Sequence, residues 1–277
     1  MIRDLQYPED ARKELISLCD GLAYYAAVAV AGAVLSKIPL SHSAPDFTVP
    51  VRCGGLEQDQ AIRRDAPILF ARFSLISMVS RFEIHAQKLL LQRRVLEHLK
   101  GPGKRMDGPN FWRILTCVQK ESRLGPVKMC DGLVIAKPSV ALKEQMEWLG
   151  GLYRVRNCLA HRLGMVQMID VKISGVPLDQ TKDNDMLKAV WLRPRVLVDG
   201  KEVQLPYTTT GAAQGTVDFK PYVREWKIGE QIDVNPLDCQ AIAMSLSMLG
   251  RQLQTDFEGE MNALLEIPAP THDVSGK

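Results

Sequence analysis

Leu152-Tyr153-Arg154-Val155-Arg156-Asn157-Cys158-Leu159-Ala160-His161-Arg162-Leu163-Gly164 is the stretch on which the fold turns. It closes a segment with apolar residues at helical spacing, Leu142, Met146, Leu149, Tyr153 and Leu159. Gly164 is the residue type that stops a helix. Ser139, after Pro138, is placed to cap the start. Gly150-Gly151 costs about 1 kcal/mol per glycine relative to alanine inside a helix, so either two helices meet closely there or the helix bends. Beyond Gly164 the apolar period changes from helix to strand.

Upstream the pattern is helical. A first helix is expected over Pro8–Ile38, with Pro39 after its end. Residues 39–66 hold Pro39, Pro45, Pro50 and Gly54-Gly55 and read as a loop with room for a short strand around Phe47–Val51. A second helix is expected from Asp65-Ala66-Pro67 toward Lys100, with Leu75, Val79, Phe82, Ala86 and Leu89 as its core stripe. Gly101-Pro102-Gly103-Lys104-Arg105 reads as a basic turn before a short helix from Pro109 to about Lys120.

Downstream, strands are expected over Met165–Ile173, Leu187–Val198, Lys201–Leu205, Tyr222–Ile228 and Gln231–Val234. Asp199-Gly200 is a hairpin signal, and Gly229 a second turn. Asn235-Pro236 begins a closing helix to about Leu265, with Ile242, Leu246, Leu249, Leu253 and Phe257 on one face. The fold class is therefore α+β, mainly α. Residues 1–164 and 235–266 form a helical bundle, 165–234 a β-rich insertion of roughly four to six antiparallel strands, and 267–277 a disordered tail.

Composition limits the function classes. A formal charge of +3 over 277 residues gives no global attraction to nucleic acid, so a binding surface must come from local clusters such as Arg93-Arg94, Lys100–Arg105 or Arg154–Arg162. The six cysteines contain no Cys-x-x-Cys pair and the five histidines are not grouped with them, so structural zinc is not expected. Acidic Asp4, Glu9 and Asp10 precede the first apolar run and argue against a signal peptide. That run, Gly21–Leu35, is shorter than the roughly 20 residues of a membrane span. It reads as a buried helix whose alanines and Gly32 permit close packing, in a cytoplasmic protein without a membrane partner. No Gly-x-Ser-x-Gly, phosphate-binding Gly-Lys-Ser/Thr or His-Glu-x-x-His pattern is present.

The quoted stretch carries the chemistry. A guanidinium can hold a phosphate with two hydrogen bonds, an imidazole can move protons near neutral pH, and an amide can orient either. Arg156-Asn157 followed after three residues by His161 resembles the signature of the HEPN superfamily. Its ribonucleases carry an arginine, a polar neighbour and a histidine late in a helix of a helical bundle. The resemblance covers the helical part of the chain and implies metal-independent RNA cleavage without a cofactor. The ribose 2′-hydroxyl would attack the adjacent phosphorus, leaving a 2′,3′-cyclic phosphate. His161 would transfer the proton, Arg156 would stabilise the phosphoryl charge, and Asn157 would orient the imidazole or bind phosphate. It further implies a homodimer with two motifs facing one cleft, a setting in phage defence, toxin or stress systems, and room for an antitoxin or regulatory partner. An acidic residue on an earlier helix often approaches the pair, for which Glu83 is the candidate. Arg162, Lys104 and Arg105 are candidate RNA contacts.

Helical geometry complicates the assignment. At about 100° per residue, Asn157 lies about 40° from His161 but Arg156 lies about 140° away, whereas Arg154 lies only about 20° away. Arg154 is therefore the alternate arginine, unless a frayed last turn or a second subunit relieves the difficulty. The competing reading is a non-catalytic HEPN-like dimerisation, RNA-binding or regulatory module. In that reading the arginines form a solvated face and His161 is an ordinary residue of a helix C-terminus.

Overall fold

The computed structural model describes residues 7–35, 56–100, 105–133, 140–171, 186–198, 201–203 and 215–265. Their order is α1 (Tyr7–Leu35), α2 (Leu56–Leu99), α3 (Gly108–Ser122), α4 (Pro126–Leu133), α5 (Val140–Arg162), α6 (Met168–Val171), β1 (Met186–Val198), β2 (Lys201–Val203), β3 (Gly215–Lys227) and α7 (Pro236–Leu265). The architecture is mainly helical with a small antiparallel sheet, as the change of period at Gly164 anticipates.

Helix α2 runs through the middle of the bundle and touches α1, α3, α4, α5 and α7. Its side chains Ala71, Leu75, Met78, Val79, Phe82, Ala86 and Leu89 are buried in one continuous core. Helix α1 lies antiparallel to it, since Glu14 pairs with Lys88 at 2.7 Å while Gly32 lies against Phe70. A Cβ on Gly32 would stand 2.5 Å from the Cβ of Phe70, so this glycine permits the approach. Helix α7 runs parallel to α2. The Cys239 thiol donates to the Ala71 carbonyl at 3.4 Å, and Gly250 faces Leu18, Phe82 and His85. Over Arg12–Val34, α1 is long and apolar enough to cross a membrane by length and composition, with mean hydropathy 1.6. This window is wider than Gly21–Leu35 because Leu15, Ile16 and Leu18 extend it; Leu18, Leu22, Ala26 and Ala29 are buried in the bundle.

The sheet has strand order β2-β1-β3. Strand β1 pairs along its whole length with β3, from Met186 opposite Lys227 to Val198 opposite Gly215, and Val198 also faces Lys201 across the expected hairpin. Leu187, Ala189 and Trp191 of β1 and Trp226 of β3 join the bundle's core. The Leu192 N–H donates to Ser245 Oγ of α7 at 2.8 Å. Arg193 stacks 3.4 Å from the Tyr222 ring centroid and pairs with the fully buried Asp238. Asp238 in turn completes a reciprocal cap with Asn235: the Asp238 N–H donates to Asn235 Oδ1 at 2.8 Å, and the Asn235 N–H to Asp238 Oδ2 at 3.3 Å. The sheet is thus tied to the closing helix at that helix's own cap.

Gly150-Gly151 does not break α5, which is continuous from Val140 to Arg162. The close partner at Gly151 is a strand rather than a helix: an added Cβ would stand 2.7 Å from the Lys188 carbonyl oxygen and 3.1 Å from Ala189 Cα. Other expectations are corrected. Helix α2 begins at Leu56 and carries Pro67 inside it. The preceding Glu57, Gln58, Gln60, Ala61 and Arg63 are good helix formers and sustain the helix across the missing proline N–H. Helix α4 was not expected. Over Met165–Val171 the expected strand Met165–Ile173 is not one: Met165 makes a single bridge with Gln231, and α6 follows, while Lys172 and Ile173 lie outside the described residues. Gln231–Val234 likewise contributes only that bridge, while β3 starts seven residues before the expected Tyr222, so the described sheet has three strands rather than four to six. Helix α1 is described as far as Leu35. Ile38, the 39–55 loop with its expected strand, Asp199-Gly200 and the tail 267–277 lie outside the described residues.

Two predictions follow from this packing. Gly151→Ala drives a Cβ into strand backbone and should lower unfolding free energy by about 1–3 kcal/mol. Gly150→Ala meets only Val127 Cγ2, at 3.3 Å, and should be neutral or stabilising by up to about 1 kcal/mol; equal effects in denaturant titrations would refute the difference.

His85 is 3% exposed and neither ring nitrogen has a hydrogen-bond partner. Burial pushes its pKa down to about 4, against the opposing charge of Glu14 and with smaller contributions from Lys88 and Arg81. A depressed histidine pKa contributes stability that is present above the unfolded value of about 6.5 and lost as pH falls toward 4. Wild type should lose about 3 kcal/mol more than His85→Met over that window. Parallel pH profiles for the two proteins would count against it.

Candidate functional site

Helix α5 lies antiparallel to α2, so that Arg156 meets Ser80 and Glu83 while Gly164, at the far end, meets Arg72. The helix continues regularly through Arg162. It then ends in two left-handed residues, Leu163 at φ 54° and Gly164 at φ 83°, with the Gly164 N–H returning to the Cys158 carbonyl at 3.2 Å. The last turn is not frayed, and Arg156 and His161 project from different sides of α5.

Arg156 is a bridge between helices. Its Nη1 donates to Asn157 Oδ1 at 2.8 Å, Nε and Nη2 donate to Ser80 Oγ at 3.3 and 3.0 Å, and Nη2 lies 3.4 Å from Glu83 Oε2. Its guanidinium also sits 5.8 Å from the Tyr153 ring centroid. The sequence candidate Glu83 is therefore brought to Arg156. Burial pushes the Glu83 carboxyl pKa up despite the opposing charge of Arg156. Ser80 was not foreseen: Ser74, Ser77 and Ser80 all lie between Phe73 and Ile84, and nothing local singles out the one that meets Arg156.

Arg154 differs from its neighbour. It is half-buried, burial lowers its pKa, and it forms no hydrogen bond or ion pair among the described residues. It lies about 20° from His161 around the helix, two turns earlier. His161 is exposed and likewise makes no hydrogen bond or ion pair among the described residues. Asn157, held at its oxygen by Arg156, falls within the same arc of about 60° as Arg154 and His161, and its amide nitrogen makes no hydrogen bond among the described residues.

Arg162, a candidate RNA contact, is turned to another purpose. Nε donates to Asp170 Oδ2 at 3.0 Å and Nη2 pairs with Oδ1. Asp170 is buried and also accepts from the Gln167 N–H at 2.9 Å. Both edges of the carboxylate and the inner edge of the fork are thereby committed to holding α6 against the end of α5. Arg105 is exposed just before α3, and Lys104 lies outside the described residues. A cleft of about 580 Å³ opens between α1 and α2, lined by Lys13, Ile16, Ser17, Asp20, Tyr24 and Arg81, but none of the expected site residues lines it. Among the described residues, no group of three His, Cys, Asp or Glu side chains converges on a point that could hold a metal.

The Glu83 carboxylate is less favoured in the folded protein than in the unfolded chain, so its ionisation opposes folding and its contribution is lost as pH rises through the raised pKa. Glu83→Gln should leave thermal stability at pH 7 equal to or above wild type, with the advantage shrinking below pH 4. A large loss at pH 7 would show that the ion pair with Arg156 dominates instead.

Comparison of the chain with protein-family models, with curated proteins and with solved structures finds no match in any of the three.

Proposed function

We propose that the chain is a metal-independent endoribonuclease of HEPN type that acts as a cytoplasmic homodimer. The observation that carries this reading is the arc formed by Arg154, Asn157 and His161: a half-buried guanidinium with no partner among the described residues, an amide fixed from behind by Arg156, and an exposed imidazole at a helix end. A guanidinium in that setting is matched to a phosphodiester oxygen. His161 transfers the proton as the 2′-hydroxyl oxygen bonds to phosphorus, and the 5′-oxygen leaves as a hydroxyl, giving a 2′,3′-cyclic phosphate. In this scheme Arg154 stabilises the charge on the phosphoryl oxygens. Arg156 has the role of a positioning residue that orients Asn157, with Ser80 and Glu83 holding Arg156 in turn.

One histidine per arc leaves one proton-transfer group per chain, which supports pairing of two copies. The outer stripe of α2 suits such a face: Leu69, Phe73 and Ile84 are exposed on it, Phe73 by 56%, and it borders Ser80 and Glu83. A toxin, phage-defence or stress role, with an antitoxin or other regulator, belongs to the same proposal.

A second reading is a non-catalytic RNA-binding or regulatory module. It is favoured by the contacts within the chain that engage Arg156 on all three of its nitrogens and Arg162 on two.

The deciding experiment is cleavage of a mixed RNA pool by the purified protein in the presence of a chelator, reading product ends as well as lengths. His161→Ala should reduce cleavage by at least about 100-fold with folding intact, and products should end in cyclic phosphate. Arg154→Ala should cost activity with little loss of stability, whereas Arg156→Ala should lower both. Absence of cleavage, or cleavage indifferent to His161→Ala, would leave the module reading.

A further inference from the structure

Helix α3 is amphipathic, with Ile114 and Val118 buried against the bundle and Asp107 capping its start through a 2.8 Å bond from the Asn110 N–H. Its outward arc, about 120° wide, holds Trp112, Arg113, Thr116, Gln119, Lys120 and Arg123. Trp112 is 65% exposed there. Arg113, Lys120 and Arg123, with Arg105 just before the helix, are exposed, and their side chains form no hydrogen bond or ion pair among the described residues. The two acids of residues 105–123 do not neutralise them. Asp107 is the cap, and Glu121 lies on the opposite side, where it pairs with Arg94 of α2 at 3.0 Å.

Arg93, Arg94, Arg156, Arg162, Arg193, Arg195 and Arg224, by contrast, have acidic partners. Four unpaired cations around one exposed indole complement a polyanion that carries flat rings. We propose that the outer face of α3 binds single-stranded RNA, with a base stacked on Trp112 and phosphates along Arg113, Lys120 and Arg123. An acidic membrane fits less well. The apolar stripe of α3 is already spent on the core, and an interfacial helix needs that stripe to enter the lipid. Glu121 meets Arg94, fourteen residues along α2 from Ser80, so the surface lies about 20 Å from the Arg156 bridge. It is a holding surface remote from the proposed cutting site. Its choice of partner rests on the RNA reading above.

The test uses the full chain carrying His161→Ala, so that RNA is not consumed, and fluorescence anisotropy with a labelled mixed-sequence single strand of about 20 nucleotides. Trp112→Ala should weaken binding by about 5- to 100-fold, and Trp112→Phe, which keeps an aromatic ring, should restore most of it. Lys120→Glu with Arg123→Glu should weaken binding at least tenfold and flatten its salt dependence, with circular dichroism unchanged. Affinities within twofold of the parent in both the Trp112→Ala and the charge-reversed proteins, or no binding by the parent, overturn the proposal. So does loss of binding to phosphatidylserine vesicles in these variants while RNA binding persists. Failure of the cleavage reading is seen separately, as absent cyclic-phosphate products from the wild-type protein.

Discussion

Burial of α2 is the constraint around which the molecule is arranged. A 44-residue helix with core side chains over most of its circumference cannot be covered by one partner. It is enclosed by α1 on one flank, α5 on another and α7 beneath, with α3 and α4 closing its C-terminal half. Each neighbour is fitted by a local device: Gly32 against Phe70, Gly250 against Leu18 and Phe82, and the Arg156 guanidinium against Ser80 and Glu83. One stripe of α2 stays open, and Leu69, Phe73 and Ile84 stand on it. The same covering that buries the helix therefore sets an apolar strip beside the arginine bridge.

The sheet depends on that bundle rather than standing apart from it. A small sheet needs a hydrophobic face or a helix to pack against, and here the bundle supplies the cover. Trp191 and Trp226 complete the core of the helices, and strand backbone rests on Gly151. Arg193, Asp238 and Asn235 then join sheet, charge pair and helix cap in one chain of contacts. A fully buried carboxylate is tolerated there because it is paired with a guanidinium and bonded to a backbone N–H. The boundary expected near residues 164 and 235 thus marks a change of secondary structure more than a change of folding unit.

What the sequence made legible was whatever depended on local signals. The closing helix was visible in Asn235-Pro236 and the apolar spacing after it, the motif helix in its stripe and in Gly164, and β1 in the run before Asp199-Gly200. Errors arose where a local signal was overruled. Pro67 looked like a helix start because proline suits the first turn, but the formers before it carry the helix through. Met165–Ile173 has strand-like composition, yet buried Asp170 binds Arg162 and curls the segment into α6. The near approach at Gly151 was expected from the glycine pair, but nothing local distinguishes a strand from a helix as the partner. Among the site residues, the proximity of Glu83 to Arg156 was anticipated, and the roles of Ser80 and Asp170 depended on long-range packing.

Three arginines within nine residues illustrate why a motif must be read in three dimensions. Arg162 is paid back for its partial burial by Asp170, and Arg156 by Ser80, Asn157 and Glu83. Arg154 is half-buried and has no such compensation among the described residues. Removing a guanidinium from water without a partner opposes folding, and an anion that arrives later returns part of that cost as binding energy. A phosphodiester held by Arg154 would lie on the His161 side of α5, with the Asn157 amide between them. The arginine nearest the motif's asparagine in sequence is thus the one already occupied, and the arginine two residues earlier is the one with no partner among the described residues.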